Sequence, residues 1–190
     1  MINMKIIEYK INRYGNTPWE GILLRESDLW IATKNNEGDF SLDGVCFVNK
    51  HFVKDLKEVD RDSMKSKIFP LKYLDYDKDM EYVANLNIEN HQDFFKSLKS
   101  LGLLIDIGLQ WNDSIFVGTI CDVFQKSFVI NSIDAETNDD GKMKMKFSSV
   151  RYIKIYTDYL NSLSLYIKWK EKLERPVHHD MLSAERGNCN

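Results

Sequence analysis

Two β-strands joined by a very short turn are predicted by residues 142–156, which read KMKMKFSSVRYIKIY. From 142 to 147 lysine alternates with an apolar residue, the period of a strand with one solvated and one buried face. A second apolar run follows at residues 150–156. Because the gap is too short for a conventional loop, we expect a single tight or 3₁₀ turn between the two strands.

A similar pattern occurs 97 residues earlier, in residues 45–59, which read VCFVNKHFVKDLKEV. At this offset Gly21 aligns with Gly118, and Asp43-Gly44 aligns with Asp140-Gly141 without a gap. Apolar positions coincide as well: Leu23, Ile31, Val48, Val53 and Leu56 align with Ile120, Phe128, Met145, Val150 and Ile153. We therefore predict an internal duplication.

Each copy is predicted to contain five strands, because β-branched and aromatic runs alternate with short polar breaks. In the first copy we expect strands at residues 5–12, 19–26, 29–33, 45–50 and 53–59. In the second copy we expect them at residues 103–110, 115–123, 127–133, 142–147 and 150–156. The Asp-Gly pair before each fourth strand predicts a tight connection, since glycine tolerates positive φ.

Two helices are predicted in the second half of the chain. Residues 91–101 carry an apolar stripe, with Asn90 as N-cap and Gly102 just beyond the last turn. Residues 156–173 show helical spacing of apolar side chains before Pro176. The fold class is therefore mainly β with a few helices.

The five-strand units resemble the Sm and Sm-like family of small SH3-like barrels. Gly21-Ile22-Leu23 and Gly118-Thr119-Ile120 match the start of the first family motif, and both copies keep the apolar frame of the second. The polar motif positions differ and are occupied by Ser27, Ile31 and Asn49-Lys50 in the first copy and by Phe124, Phe128 and Lys146-Phe147 in the second. The resemblance implies two tandem five-stranded barrels that have lost the nucleotide pocket of RNA-binding Sm rings. The whole chain also resembles a group of uncharacterised bacterial proteins.

The resemblance divides the chain into four segments. Residues 1–70 are expected to form the first barrel and residues 71–89 an acidic linker. Residues 90–175 are expected to form a helix, the second barrel and the C-terminal helix, followed by a flexible tail at 176–190.

Charge and composition exclude several classes of protein. The chain has 190 residues, and 26 Lys+Arg are balanced by 29 Asp+Glu, so no excess positive charge favours general binding to nucleic acids or anionic membranes. Cys46, Cys121 and Cys189 lack metal-site or disulfide-framework spacing, and we expect free thiols. The N-terminal apolar residues are interrupted by charges and no long apolar stretch follows, so a cytoplasmic location is expected.

A basic strip is predicted on the second copy, formed by Lys142, Lys144, Lys146, Arg151 and Lys154. As a functional site, the basic strip would contact RNA phosphates or a protein partner. The alternative is a solvated strand face. It is favoured because acidic residues lie just upstream and can pair across the sheet: Asp134, Glu136, Asp139 and Asp140.

Other polar clusters are interpreted as structural. The tail contains His178-His179-Asp180 and Cys189, which are metal-ligand residue types in a polar segment without fixed geometry. Alternating acids superficially resemble a calcium loop, but Met80 stands where that loop needs glycine; they are Asp75, Asp77, Asp79 and Glu81. His51 has no partner at a recognisable catalytic spacing. We predict no catalytic residues, no metal and no cofactor, and therefore no enzyme.

The leading functional hypothesis is a non-catalytic protein-binding or scaffold module. One form that the sequence permits is a small immunity protein that neutralises a toxin. The alternative is an Sm-like RNA-binding protein that uses the basic strip. We expect a monomer or homodimer that does not associate with membranes.

Overall fold

The computed structural model describes residues 4–12, 17–110 and 115–174. Within them the first half of the chain forms β1 (Ile6–Ile11), β2 (Trp19–Glu26), β3 (Trp30–Asn36), β4 (Leu42–Asn49) and β5 (Val53–Glu58). The second half forms β6 (Ile105–Leu109), β7 (Ile115–Val123), β8 (Ser127–Ile133), β9 (Asp139–Lys146) and β10 (Val150–Ile155). The helices are α1 (Met64–Lys72), α2 (Tyr76–Ala84), α3 (His91–Leu101) and α4 (Asp158–Glu174). The fold is therefore mainly β with a few helices, as predicted.

All ten strands belong to one antiparallel sheet with the order β5-β1-β2-β3-β4-β10-β6-β7-β8-β9. Each half of the chain thus contributes five neighbouring strands. In each half the strand that comes last in the sequence, β5 or β10, lies beside the strand that comes first, β1 or β6. The halves meet where β4 pairs with β10, with Val48 opposite Tyr152 and Val45 opposite Ile155. Strands β5 and β9 form the two ends of the sheet.

Elements of the second half recur at the spacing found in the sequence. Strands β8, β9 and β10 begin and end 97 residues after β3, β4 and β5. The ladder between β2 and β3 is irregular between Leu23 and Arg25, and the ladder between β7 and β8 is irregular between Ile120 and Asp122. The expected short turns are 3₁₀ turns at Lys50–Phe52 and Phe147–Ser149.

The two Asp-Gly pairs lie inside strands and not in the tight connections that we expected. Strands β4 and β9 each begin three residues before their predicted start. Gly44 has a φ of 58°, at a point where β4 holds an extra residue relative to β3. A Cβ atom at Gly44 would lie 2.6 Å from the carbonyl oxygen of Ile155. Glycine is needed there because β4 approaches the end of β10 closely.

Helix α3 has the predicted bounds and joins the two halves. Asn90 caps it by accepting a hydrogen bond from the Asp93 amide at 2.8 Å, and it ends before Gly102, whose φ is 61°. The ring of Phe94 lies 4.9 Å from that of Phe47 in the first half, and the ring of Phe95 lies 4.1 Å from that of Phe128 in the second. One hydrophobic cluster therefore extends across both halves.

Helices α1 and α2 occupy the segment in which the sequence predicts the end of the first barrel and an acidic linker. Helix α2 lies against β2, where the Arg25 guanidinium donates to the carbonyls of Val83 at 3.2 Å and Leu86 at 2.7 Å. Lys34 of β3 forms an ion pair with Asp79 at 3.1 Å. The segment was missed because Pro70 interrupts the pattern of α1 and the alternating acids of α2 are typical of linkers.

Helix α4 packs on the sheet face opposite to α3. Its Leu160 and Leu163 form a cluster with Val117, whereas Ile120 of the same strand belongs to the core under α3. Its first turn is fixed by the Asp158 amide, which donates to Asp43 Oδ1 of β4 at 2.8 Å. The C-terminal helix of the second half is thereby tied to the first half.

Candidate binding site

The five residues of the basic strip do not share one surface. Lys142, Lys144 and Lys146 are exposed on β9, the end strand of the sheet, while Met145 between them is buried. Arg151 is only 2% exposed and donates a hydrogen bond to the Gln110 carbonyl. The prediction that these five residues form one basic strip on one face is therefore wrong.

Lys154 belongs to the interior of the sheet, where it is held by groups from both halves. Its ammonium lies 2.7 Å from Glu37 Oε1 and 5.1 Å from the centre of the Trp19 ring. The Lys154 side chain is 15% exposed. Burial lowers the pKa of Lys154, but its interactions with Cys46, Glu37 and Asp106 raise it, and the net shift is upward. Lys154 is therefore a largely buried cation that is paired within the chain.

Asp106 is the cross-strand neighbour of Lys154, on the β6 side. It is 8% exposed, and among the described residues its Oδ1 atom has no hydrogen-bond partner. Burial raises the pKa of this carboxyl to about 6, the positive charge of Lys154 lowers it, and Glu37 raises it. A buried carboxylate oxygen without a donor is costly, so the position is of functional interest.

A cleft of about 430 Å³ opens beside Asp106, between β6, β7, β8 and the start of α4. We call it the Asp106 cleft; its lining includes Asp106, Phe116, Val117, Ile133, Asp140 and Tyr159. The walls are largely apolar and the charged lining side chains are acidic. Sequence reasoning missed this cleft, although one acid inside the apolar run of residues 103–109 was a signal for it.

The outer face of α4 carries exposed aromatic side chains next to the Asp106 cleft. Tyr159, which lines the cleft, is 50% exposed, and Trp169 is 54% exposed. The rings of Tyr166 and Trp169 stack with their centres 5.6 Å apart. The Lys170 ammonium lies 4.9 Å from the Tyr166 ring centre and also donates to the Glu136 carbonyl at 2.9 Å. These contacts hold the aromatic side chains of the α4 face in place.

Three of the motif positions singled out by the Sm resemblance, Asn49, Lys50 and Phe147, are engaged within the chain. The Asn49 amide donates to the Val150 carbonyl at 3.0 Å, and its oxygen accepts from the His51 amide at 3.1 Å. Lys50 forms an ion pair with Glu26 at 2.8 Å. In the second half, Phe147 is 4% exposed and packs in the core. These three side chains therefore take part in contacts within the chain.

A second cleft, of about 510 Å³, brings together His51 and His91. His91 is the first residue of α3, and partial burial lowers its pKa. His51 lies in the first 3₁₀ turn, so sequence spacing gave no indication that the two residues line one cleft. Asp28, Lys50 and Ser148 line the same cleft.

The remaining predicted clusters are placed as follows. The alternating acids lie at the start of α2 and within it, where Asp79 accepts from the Tyr73 hydroxyl and pairs with Lys34. Cys46 is buried, and burial raises the pKa of its thiol to about 12. Residues 178–180 and Cys189 lie outside the described residues.

Within residues 4–12, 17–110 and 115–174, no three His, Cys, Asp or Glu side chains are grouped closely enough to hold a metal ion. In the same residues, every helix is too short or too polar to cross a bilayer. Comparison of the chain with protein-family models, with curated proteins and with solved structures finds no match in any of the three.

Proposed function

We propose that the chain is a non-catalytic binding module that engages another protein through the outer face of α4. The carrying observation is the row of exposed aromatic side chains, Tyr159, Tyr166 and Trp169, beside a cleft with a buried acid. The few residues that carry most of the binding energy of protein interfaces are enriched in tyrosine, tryptophan and arginine, and clustered exposed apolar surface marks such sites. The stacked Tyr166–Trp169 pair is also ordered before binding, which reduces the entropy lost on association.

The test is affinity capture with the full chain, using lysate of the cells from which the sequence comes. We compare the wild type with Trp169→Ala and with Leu71→Ala as matched control, since Leu71 is exposed on α1, outside the α4 face. A partner in about equal amount should be retained by the wild type and the control. Trp169→Ala should weaken its binding about thirtyfold. Capture of no stoichiometric protein, or equal capture by both variants, contradicts the proposal.

We further propose that the two halves are tandem Sm-like barrels side by side in one chain. Support comes from the shared strand order, the recurrence of β3 to β5 at an offset of 97 and the joining of the halves through β4 and β10. Since one chain supplies both units, a ring of separate subunits is not needed. A monomer or homodimer is expected, and light scattering after size-exclusion chromatography measures this; a larger closed assembly would contradict the expectation.

RNA binding is the second candidate, now confined to β9. One observation favours it: the Lys144 ammonium lies 4.9 Å from the ring centre of the exposed Phe124. An aromatic ring beside cations can stack a base while lysines contact phosphates. Binding to a short oligouridylate should then weaken with added salt and with the triple change Lys142→Glu, Lys144→Glu and Lys146→Glu. Absence of salt-sensitive binding excludes this candidate.

A further inference from the structure

We propose that the Asp106 cleft receives a cationic side chain, arginine or lysine, of the protein that docks on α4. The inference rests on the proposed function and specifies the chemistry of the partner. Four features of the cleft support the inference. They are a buried acid with one oxygen that lacks a hydrogen-bond donor, neighbouring cations that are paired with other groups, a largely apolar lining, and continuity with the α4 face.

The buried acid that lines the cleft lacks, among the described residues, a hydrogen-bond donor to one of its oxygens. Asp106 is 8% exposed, and its Oδ1 has no partner in the described part of the chain. Burying a carboxylate oxygen without a donor is unfavourable unless a ligand supplies the donor. Guanidinium and ammonium groups supply N–H donors together with the compensating positive charge.

Two cations act on acids of the cleft, Lys154 on Asp106 and Lys170 on Asp134, but each ammonium is paired with another group. The Lys154 ammonium is paired with Glu37, and among the described residues no ion pair joins it to Asp106 within 4.0 Å. On the other side, Lys170 of α4 donates to the Glu136 carbonyl. The cleft therefore keeps a negative field that an incoming cation can neutralise.

The remaining lining suits the aliphatic part of a long cationic side chain. Val117 and Ile133 provide apolar wall, and Phe116 and Tyr159 provide aromatic rings. Lysine and arginine pack their methylene groups along such surfaces, and their charged ends are attracted to aromatic faces. A volume of about 430 Å³ lies within the range of small-ligand sites.

The position of Tyr159 links the cleft to the proposed docking surface. Tyr159 lines the cleft and also lies at the start of the α4 face that carries Trp169. A partner resting on Tyr166 and Trp169 would therefore project side chains toward Asp106. Aromatic anchors around one desolvated charge pair are typical of the centre of an interface.

Binding of the cation should depend on pH, because Asp106 must be ionised. Its carboxyl, with a pKa of about 6, is faced by Lys154 of β10, Glu37 beyond β3 and the thiol of Cys46 on β4. The other titratable groups that line the cleft are Asp140 of β9, the Tyr159 phenol and Asp134. Hydrogen bonds from Asn138 lower the pKa of Asp134, so this acid stays charged over the range in which Asp106 titrates.

The test is titration of the full chain with N-acetyl-arginine-N-methylamide, followed by amide chemical shifts of β6, β7 and β8. The uncharged isostere N-acetyl-citrulline-N-methylamide is the ligand control. The variant is Asp106→Asn, and its matched control is Asp122→Asn. Asp122 is an exposed acid of β7, and its replacement also removes one negative charge. A thermal melt of each variant confirms that it is folded.

We expect saturable chemical-shift changes of the wild type with the arginine probe at about pH 7.5. The affinity should fall at least about tenfold in Asp106→Asn, and equally when the citrulline probe replaces the arginine probe. Asp122→Asn should leave the affinity unchanged. Lowering the pH to about 5 should weaken binding about tenfold, since most of Asp106 is then protonated. No saturable shift up to about 20 mM, or equal binding by wild type and Asp106→Asn, overturns the inference. Failure here with successful capture through Trp169 leaves the proposed function intact. Cation binding with no captured partner refutes the proposed function and with it the partner as source of the cation, and leaves the Asp106 cleft as a cation-binding site only.

Discussion

Replacement of Asp106 with asparagine should stabilise the fold at neutral pH. The side chain is buried, and its Oδ1 atom finds no donor among the described residues. Asparagine has nearly the same shape but no charge to desolvate. If the cleft binds a ligand, the ionised Asp106 carboxyl destabilises the chain as long as no ligand is bound, and Asp106→Asn lacks this carboxyl. Such a cost in stability is common at binding sites.

The magnitude follows from the pKa of the Asp106 carboxyl, which is raised from 3.8 to about 6. At 1.36 kcal/mol per pKa unit, this corresponds to a destabilisation of about 3 kcal/mol when the group is ionised in both states. The folded state binds the proton more tightly than the unfolded state, so this destabilisation is complete above about pH 6 and disappears below about pH 3.8. Burial of the asparagine amide offsets part of the gain, and we expect a net stabilisation of about 1 to 3 kcal/mol at neutral pH.

The assay is urea unfolding of the wild type, Asp106→Asn and Asp122→Asn at about pH 7.5 and about pH 4. The stability difference between Asp106→Asn and wild type should be about 2 kcal/mol larger at the higher pH, because the carboxyl of the unfolded chain is still partly ionised at about pH 4. Asp122→Asn should change stability by less than about 1 kcal/mol, because Asp122 is exposed and its pairing with Lys99 at 3.6 Å is a surface contact. A variant that is less stable than wild type at neutral pH, or a difference independent of pH, would refute the reasoning.

Three further predictions concern the junction of the two halves. In urea unfolding, Gly44→Ala should destabilise the fold by at least about 1 kcal/mol more than Gly102→Ala. Both glycines have positive φ, but only Gly44 is crowded by neighbouring atoms. Equal losses of stability would contradict the close approach of β4 to the end of β10. The buried Cys46 thiol, with its pKa raised to about 12, should resist iodoacetamide at about pH 8 until the chain unfolds, and peptide mass mapping of labelled native protein would reveal otherwise. Lys154→Met should raise the pKa of Asp106 further, since Lys154 lowers it; carboxyl NMR titration measures this, and an unchanged pKa would contradict their coupling.

Local patterns predicted most strands because a period of two residues does not depend on distant parts of the chain. The bounds of β2, β7 and β8 agree with prediction. Helix α3 was equally predictable, since the Asn90 cap, the apolar stripe and Gly102 all lie within its own sequence. Helices α1 and α2 were not predictable in this way. Helix α1 contains Pro70, and α2 is held by Arg25, a residue about 60 positions away in the sequence.

The candidate site was less predictable because its environment is set by strand order. Arg151 and Lys154 were expected on a solvated face, but β10 lies between β4 and β6 and is covered on both sides. The same central position buries Asp106 of the neighbouring strand. Local spacing carries no information on which strand becomes central, so neither the dispersal of the basic strip nor the Asp106 cleft could be derived from it.

The two outer strands of the sheet bear on how this protein avoids aggregation. The ladder between β4 and β10 demonstrates that edges of these five-strand units can pair with each other. At one end, Lys142, Lys144 and Lys146 line β9, and at the other, β5 is mostly charged and exposed, with a φ of 53° at Asp55. Edge lysines and local distortion both oppose the addition of another strand. The charged side chains on both end strands thus disfavour pairing with a further strand, whereas the inner edges of the two halves pair with each other.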